Sequence, residues 1–194
     1  MNYTYDDYGN MISRVRNSGY DLCFYVNYKK YERPCILRHD IDFSIMKALE
    51  MAEYEWSNGI NSTYFVLLTS KMYNALSADS LRLLKRISSL GHRIGLHYDE
   101  SRYPLSMREG GVLETIIYEK NLLEHYLGYE IKAVSMHEPS IEFIKSNLAI
   151  PGMVNTYGDE FFNGMLYCSD SRRNFRVDID DFIQDSKKNM ECRF

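Results

Sequence analysis

Short apolar runs rich in β-forming residues alternate along this chain with segments whose apolar residues recur at helical spacing, a pattern that restricts it to parallel strands joined by helical crossovers. A strand is expected over 35–42. The helix after Ser44 follows it, with Ile45, Ala48, Leu49, Ala52 and Trp56 on one stripe and Gly59 just beyond its end as a stop. A Thr, Tyr, Phe and Val rich strand then spans 62–68. Leucines at helical spacing over 80–90 lead to a strand at 94–97, and a helix ended by Gly128 leads to a strand at 131–137. Pro139 and Ser140 read as the start of a short helix, and 153–157 and 166–169 as brief strands. A full eight-unit barrel usually takes about 250 residues, and this chain has 194. The expected fold is therefore α/β, a distorted or reduced (β/α) barrel with about six or seven parallel strands. A doubly wound open sheet is the alternative, because periodicity does not distinguish a closed sheet from an open one.

With 45% hydrophobic residues the whole chain, 1–194, reads as one domain. A net charge of -4 offers no basic field to attract nucleic acid or anionic lipid. No apolar run approaches the roughly 20 residues that span a bilayer, and the opening MNYTYDDYGN is acidic and polar where a secretory signal is basic and then apolar. The expectation is a cytoplasmic protein with no transmembrane segment. Cys23, Cys35, Cys168 and Cys192 form no CxxC pair, so reduced structural thiols are expected. The 17 tyrosines suit sugar faces as well as half-buried surfaces.

In parallel α/β folds the side chains that follow the carboxyl ends of strands converge on one rim. Three strand ends here carry polar residues of catalytic type: RHDID, His97 followed by Tyr98 and Asp99, and His137. The side-chain period of two sets Asp40 and Asp42 on one face of their strand and His39 with Ile41 on the other. Two adjacent carboxylates repel and call for a cation. A divalent metal on one Asp and two His leaves positions open for water, as in catalytic rather than structural zinc sites. The competing reading for Asp42 is a helix cap. His92 reads as a helix-end or strand-start residue, and His125 as a surface residue that compensates a helix dipole.

Together these motifs resemble the polysaccharide deacetylase superfamily, in particular its subgroup whose first motif reads RHD-hydrophobic-D. The resemblance runs from RHDID through STYFVLL, GHRIGLHYDE and VSMHEPS to NTYGDEFF and YCSDSRRNFR. It implies that Asp40 is the general base, Asp42 the metal-binding aspartate and His97 the first metal histidine. Typical members carry a second histidine four residues later, where this chain has Ser101. We expect His137 to supply that ligand, with Asp99 and His39 in reserve. Pro139 falls where the third motif shapes the substrate groove, Asp170 resembles a polar residue of the fourth, and Tyr98 is expected to bind substrate. The family's closing leucine-histidine motif, whose histidine is the general acid, has no counterpart: no histidine follows His137. The domain is accordingly expected to be shortened at its C-terminus, with DIDDFIQDSKKNMECRF a polar helix or loose end. The implied activity is zinc-dependent removal of an N-acetyl group from a sugar or saccharide precursor. The alternatives are a catalytically incomplete saccharide-binding protein and a hydrolase of another non-peptide C–N bond.

Overall fold

Each crossover is set by local signals that agree with one another. The computed structural model describes residues 4–103, 111–169, 183 and 190–193. Helix α1 (Tyr5–Asn17) is capped by Thr4 and buries Tyr8, Met11, Ile12 and Val15, the stripe expected of a helix lying on a sheet. The strands are β1 (Asp21–Cys23), β2 (Pro34–Ile41), β3 (Thr63–Leu67), β4 (Arg93–Tyr98), β5 (Ala133–Met136), β6 (Val154–Asn155), β7 (Leu166–Ser169) and β8 (Met190–Arg193). Between them run α2 (Ile45–Ser57), α3 (Ala78–Ser89), α4 (Gly111–Leu127), α5 (Ile141–Ser146) and α6 (Asp159–Phe162).

All strand pairings among the described residues are parallel, in the order β6-β5-β4-β3-β2-β8-β7, with β1 along the first residues of β2. Neighbouring strands lie about 4.8 Å apart. A flat sheet would therefore hold the side chains of β2 and β5, with two strands between them, roughly 14 Å apart. Instead the Arg38 guanidinium hydrogen-bonds Ser135 on β5 and, at 3.2 Å, Thr156 beyond β6. The sheet is curled into a partial barrel, as expected, with Arg38 across its lumen. Phe65 fills the same layer, and Gly95 on β4 makes room for it: a Cβ there would fall 2.5 Å from the Phe65 ring.

Two expectations need correction. Within the stretch expected to be a polar helix or loose end, Met190–Arg193 instead forms β8 between β2 and β7. On α2, Trp56 is 58% exposed while its neighbour Glu55 is fully buried. Polar partners explain the exchange. Glu55 accepts from Tyr8 at 2.5 Å, Ser62 at 2.5 Å and Tyr64 at 2.7 Å, and pairs with His39 Nε2 at 2.8 Å. Burial by itself raises the pKa of this carboxyl, but His39 and the Ser62 and Tyr64 hydroxyls outweigh it and hold the group down at about 2.

Candidate metal centre

Strand β2 delivers chemistry to both of its faces. Facing the lumen, Arg38 is 1% exposed and its Nη2 reaches both oxygens of Asp40, at 3.1 and 3.0 Å. The guanidinium is also stacked against Phe65 and Tyr157, 5.1 and 5.7 Å from the ring centroids. Asp40 is thus held by a group that is itself fixed from four sides. Sequence reading did not single out Arg38, although its spacing of two from Asp40 placed it on the same face.

Asp42 follows the end of β2, and its carbonyl accepts from the Ser70 hydroxyl at 3.2 Å. The capping role weighed for Asp42 falls to Ser44, whose Oγ accepts from the Lys47 N–H at 3.3 Å. The Asp42 carboxylate is left to face the lumen. There its Oδ1 lies 3.3 Å from Nε2 of His97 and 3.4 Å from Nδ1 of His137, and the two ring nitrogens are 3.3 Å apart. His97 is fully buried on β4, and its Nε2 is also 3.6 Å from Asp40 Oδ2. The His137 backbone N–H donates to the Tyr98 carbonyl at 2.8 Å, which fixes the backbone just past β5. Beyond it Glu138 adopts φ 49°, a left-handed conformation rare outside glycine, as the chain turns over the rim.

This triangle of lone-pair donors is the observation that matters most. A proton on either ring satisfies one edge of it; a cation at its centre satisfies all three. Ligand atoms about 2.0–2.1 Å from a tetrahedral zinc ion lie roughly 3.3–3.4 Å from one another, the same spacing. Asp42 Oδ1 is moreover buried with no hydrogen-bond partner among the described residues, an arrangement that costs free energy unless an ion completes it. Asp42, His97 and His137 are the only such group among the described residues. Their chemistry, one carboxylate and two imidazoles, fits zinc and leaves a fourth position open.

Other expected site residues lie elsewhere. His39, held in reserve as a ligand, is on the opposite face of β2 and is engaged by Glu55, because the pleat that turns Asp40 inward turns it outward. Asp99, the second reserve, accepts from the Ser101 N–H at 2.9 Å and from Arg102 Nε at 3.0 Å. Burial raises its pKa, and the Ser101 hydrogen bonds more than compensate, so the group is held below the usual value. Asp99 organises the turn at Glu100–Arg102 and does not join the triangle. The Tyr98 side chain, expected at the substrate, is fully buried on the outer face; its hydroxyl meets Thr115 and its ring stacks on Tyr103 at 5.6 Å. Alternation again gives the reason, since His97 takes the inward position. Pro139 is half-buried on the rim, between His137 and Ser140, whose Oγ caps α5. Asp170 lies outside the described residues. His92 is structural: its ring bridges the Ser62 N–H and the Ala52 carbonyl, at 3.3 and 3.0 Å. His125 is exposed in the last turn of α4.

Sequence reading also missed Glu119, buried on α4, which accepts from the Tyr103 hydroxyl while its Oε2 has no partner among the described residues. Burial, with Asp99 adding to it, raises its pKa from 4.5 to about 7, although the Tyr103 hydrogen bond opposes the shift. A carboxyl whose pKa is raised on folding stabilises the fold fully below its unfolded value, and that stability is lost as pH rises through the folded one. Between pH 4.5 and about 7 the loss should be about 3 kcal/mol. Glu119→Gln should flatten urea-denaturation stability over this interval and exceed the wild type at pH 8; an unchanged slope would refute the assignment.

No protein-family model matches the sequence, and no curated protein matches it. Solved structures do match. The chain is similar to the Xyl-CE4 domain of a multidomain xylanase from the hindgut metagenome of Trinervitermes trinervoides, with a TM-score of 0.52 and 10% identity over 84% of this chain and 73% of that one. A polysaccharide deacetylase from Bacillus cereus gives a TM-score of 0.47 with 12% identity, over 82% and 77% of the two chains. For the chitin deacetylase of Colletotrichum lindemuthianum the values are 0.38 and 17%, over 53% and 44%. At these identities the likeness is one of fold, and the Xyl-CE4 domain carries it.

Proposed function

We propose that this protein is a metal-dependent hydrolase that removes an N-acetyl group from a sugar or saccharide precursor. The triangle of Asp42 Oδ1, His97 Nε2 and His137 Nδ1, spaced for one tetrahedral ion, carries this reading. A zinc ion held there supplies Lewis acidity, polarising an amide carbonyl and lowering the pKa of a coordinated water from about 16 toward 7. Asp40 stands beside the triangle, its Oδ2 3.6 Å from His97 Nε2. It takes a proton from the attacking water, with Arg38 fixing the direction of its carboxylate. Attack on the amide carbon forms a C–O bond; as the C–N bond breaks, the proton taken up by Asp40 passes to the leaving nitrogen, so that acetate is released and the sugar nitrogen is left as a free amine. Pro139, half-buried on the rim after His137, would border a saccharide bound there. The fold shared with the Xyl-CE4 domain and the resemblance of RHDID to the first deacetylase motif support the substrate class.

The test is acetate release from N-acetylated chito-oligosaccharides. Activity should vanish on treatment with a chelator and return with added zinc. Turnover that persists in metal-free protein, or saccharide binding with no turnover in the zinc-loaded protein, would overturn the proposal.

A further inference from the structure

The apolar side chains left most open to water gather where the chemistry is. Phe43, Ile141 and Met72, at 73%, 65% and 62% exposed, are with Tyr118 the most exposed large hydrophobic residues among those described. Phe43 follows β2, Met72 follows β3 and Ile141 follows β5, so three of these four stand on the rim formed by the carboxyl ends of the strands. Exposed apolar residues scattered singly need no explanation, whereas a group on one rim marks a binding surface.

Phe43 and Met72 are also neighbours on that rim. The Ser70 hydroxyl donates to the Asp42 carbonyl at 3.2 Å and accepts from the Met72 N–H at 3.0 Å, so one side chain ties the two segments together. Tyr73 adds a second tie: its hydroxyl donates to the Ile41 carbonyl at 2.5 Å and accepts from the Leu67 N–H at 3.1 Å. On the other side of Phe43, Ser44 caps α2. The backbone that carries Phe43 is thus fixed while its ring stays in water, and a ligand that covers the ring has little further to order. Consecutive Cα atoms are about 3.8 Å apart, so Phe43 adjoins the Asp42 corner of the metal centre without belonging to it. With Asp40 and Asp42 it borders a cavity of about 250 Å³ that extends to Ser44, Lys47 and Ala48.

We propose that Phe43, with Met72 beside it, is the specificity-determining shelf for the sugar next to the one that loses its acetyl group. The inference rests on the reading of Asp42, His97 and His137 as a deacetylase centre. A pyranose is apolar on its face, where C–H groups point, and polar at its edge. It matches an apolar shelf bounded by Asp40, Ser44 and Lys47 better than an alkyl chain does. Lys47 is paired with Glu50 at 2.7 Å, so the ring supplies the recognition and favours a neutral sugar. The preferred substrate is then at least a disaccharide, with one residue at the ion and the next on Phe43.

Acetate release from N,N′-diacetylchitobiose and from N-acetylglucosamine, compared in the zinc-loaded full chain, tests the proposal. In kcat/KM the disaccharide should be favoured by about tenfold or more, from the apolar area it covers. Phe43→Ala should bring the ratio close to unity, and Phe43→Tyr, which keeps the ring, should retain it. Damage to the metal centre lowers both rates alike and leaves the ratio where it was. Calorimetric titration of Asp40→Asn with the two sugars, with and without Phe43→Ala, reads the same preference without turnover. A Phe43-dependent preference in binding with no acetate released would therefore overturn the deacetylase reading and leave the shelf standing. A wild-type ratio near unity, a ratio unmoved by Phe43→Ala, or an octyl glycoside of N-acetylglucosamine that matches the disaccharide would each overturn the shelf.

Discussion

Asp40→Asn should lower the rate of acetate release by about two to four orders of magnitude, the usual worth of a positioned general base, and still leave one equivalent of zinc bound. Asp42→Asn should instead lose the metal and, with it, activity. The contrast follows from geometry. Asp42 contributes one corner of the donor triangle, 3.3 and 3.4 Å from the two ring nitrogens. Asp40 lies outside that triangle, and Arg38 holds both of its oxygens. The carboxylates are two residues apart on one face, and the proposed mechanism gives them different work, Asp42 that of holding the ion and Asp40 that of taking a proton from the water. Metal analysis of each purified variant beside its kcat separates the roles. An Asp40→Asn protein that loses its zinc would show that both carboxylates are ligands, and the assignment of the base would fail.

The largest loss of stability is expected behind β2. Glu55→Ala removes the common acceptor of the Tyr8, Ser62 and Tyr64 hydroxyls and the partner of His39, all on the buried side of the strand that carries Asp40. Leaving these groups unsatisfied should cost about 3–5 kcal/mol. In a chain of this size that lowers the thermal midpoint by roughly 10 °C or more. Glu55→Gln keeps the shape and two of the acceptor interactions and should cost less. A Glu55→Ala protein as stable as the wild type, by urea denaturation at pH 7, would mean that the network contributes nothing net.

The expectations that held, and those that failed, divide along physical lines. Alternation of β-rich and helical segments located β2 through β5 because local period and burial agree there. The inward positions of Asp40 and His97 follow from the pleat, and the same pleat excludes His39 and Tyr98 from the lumen. Helix α1 was overlooked although Tyr8, Met11, Ile12 and Val15 keep helical spacing, because the polar residues around them dominate that segment. Strand β8 is four residues of mixed polarity, and only its neighbours β2 and β7 make it a strand. Glu55 in the place expected of Trp56 was illegible for a related reason. Four partners from α1, β2, β3 and the residue before β3 make that carboxylate tolerable in the core, and none of them is near it in the helix itself.

The centre is tested most directly by crystallography of the zinc-soaked protein, with anomalous data collected on both sides of the zinc edge. A single strong peak is expected about 2.0–2.1 Å from Asp42 Oδ1, His97 Nε2 and His137 Nδ1, with Asp40 beside its open position. No peak there, or a peak held by other side chains, would contradict the account.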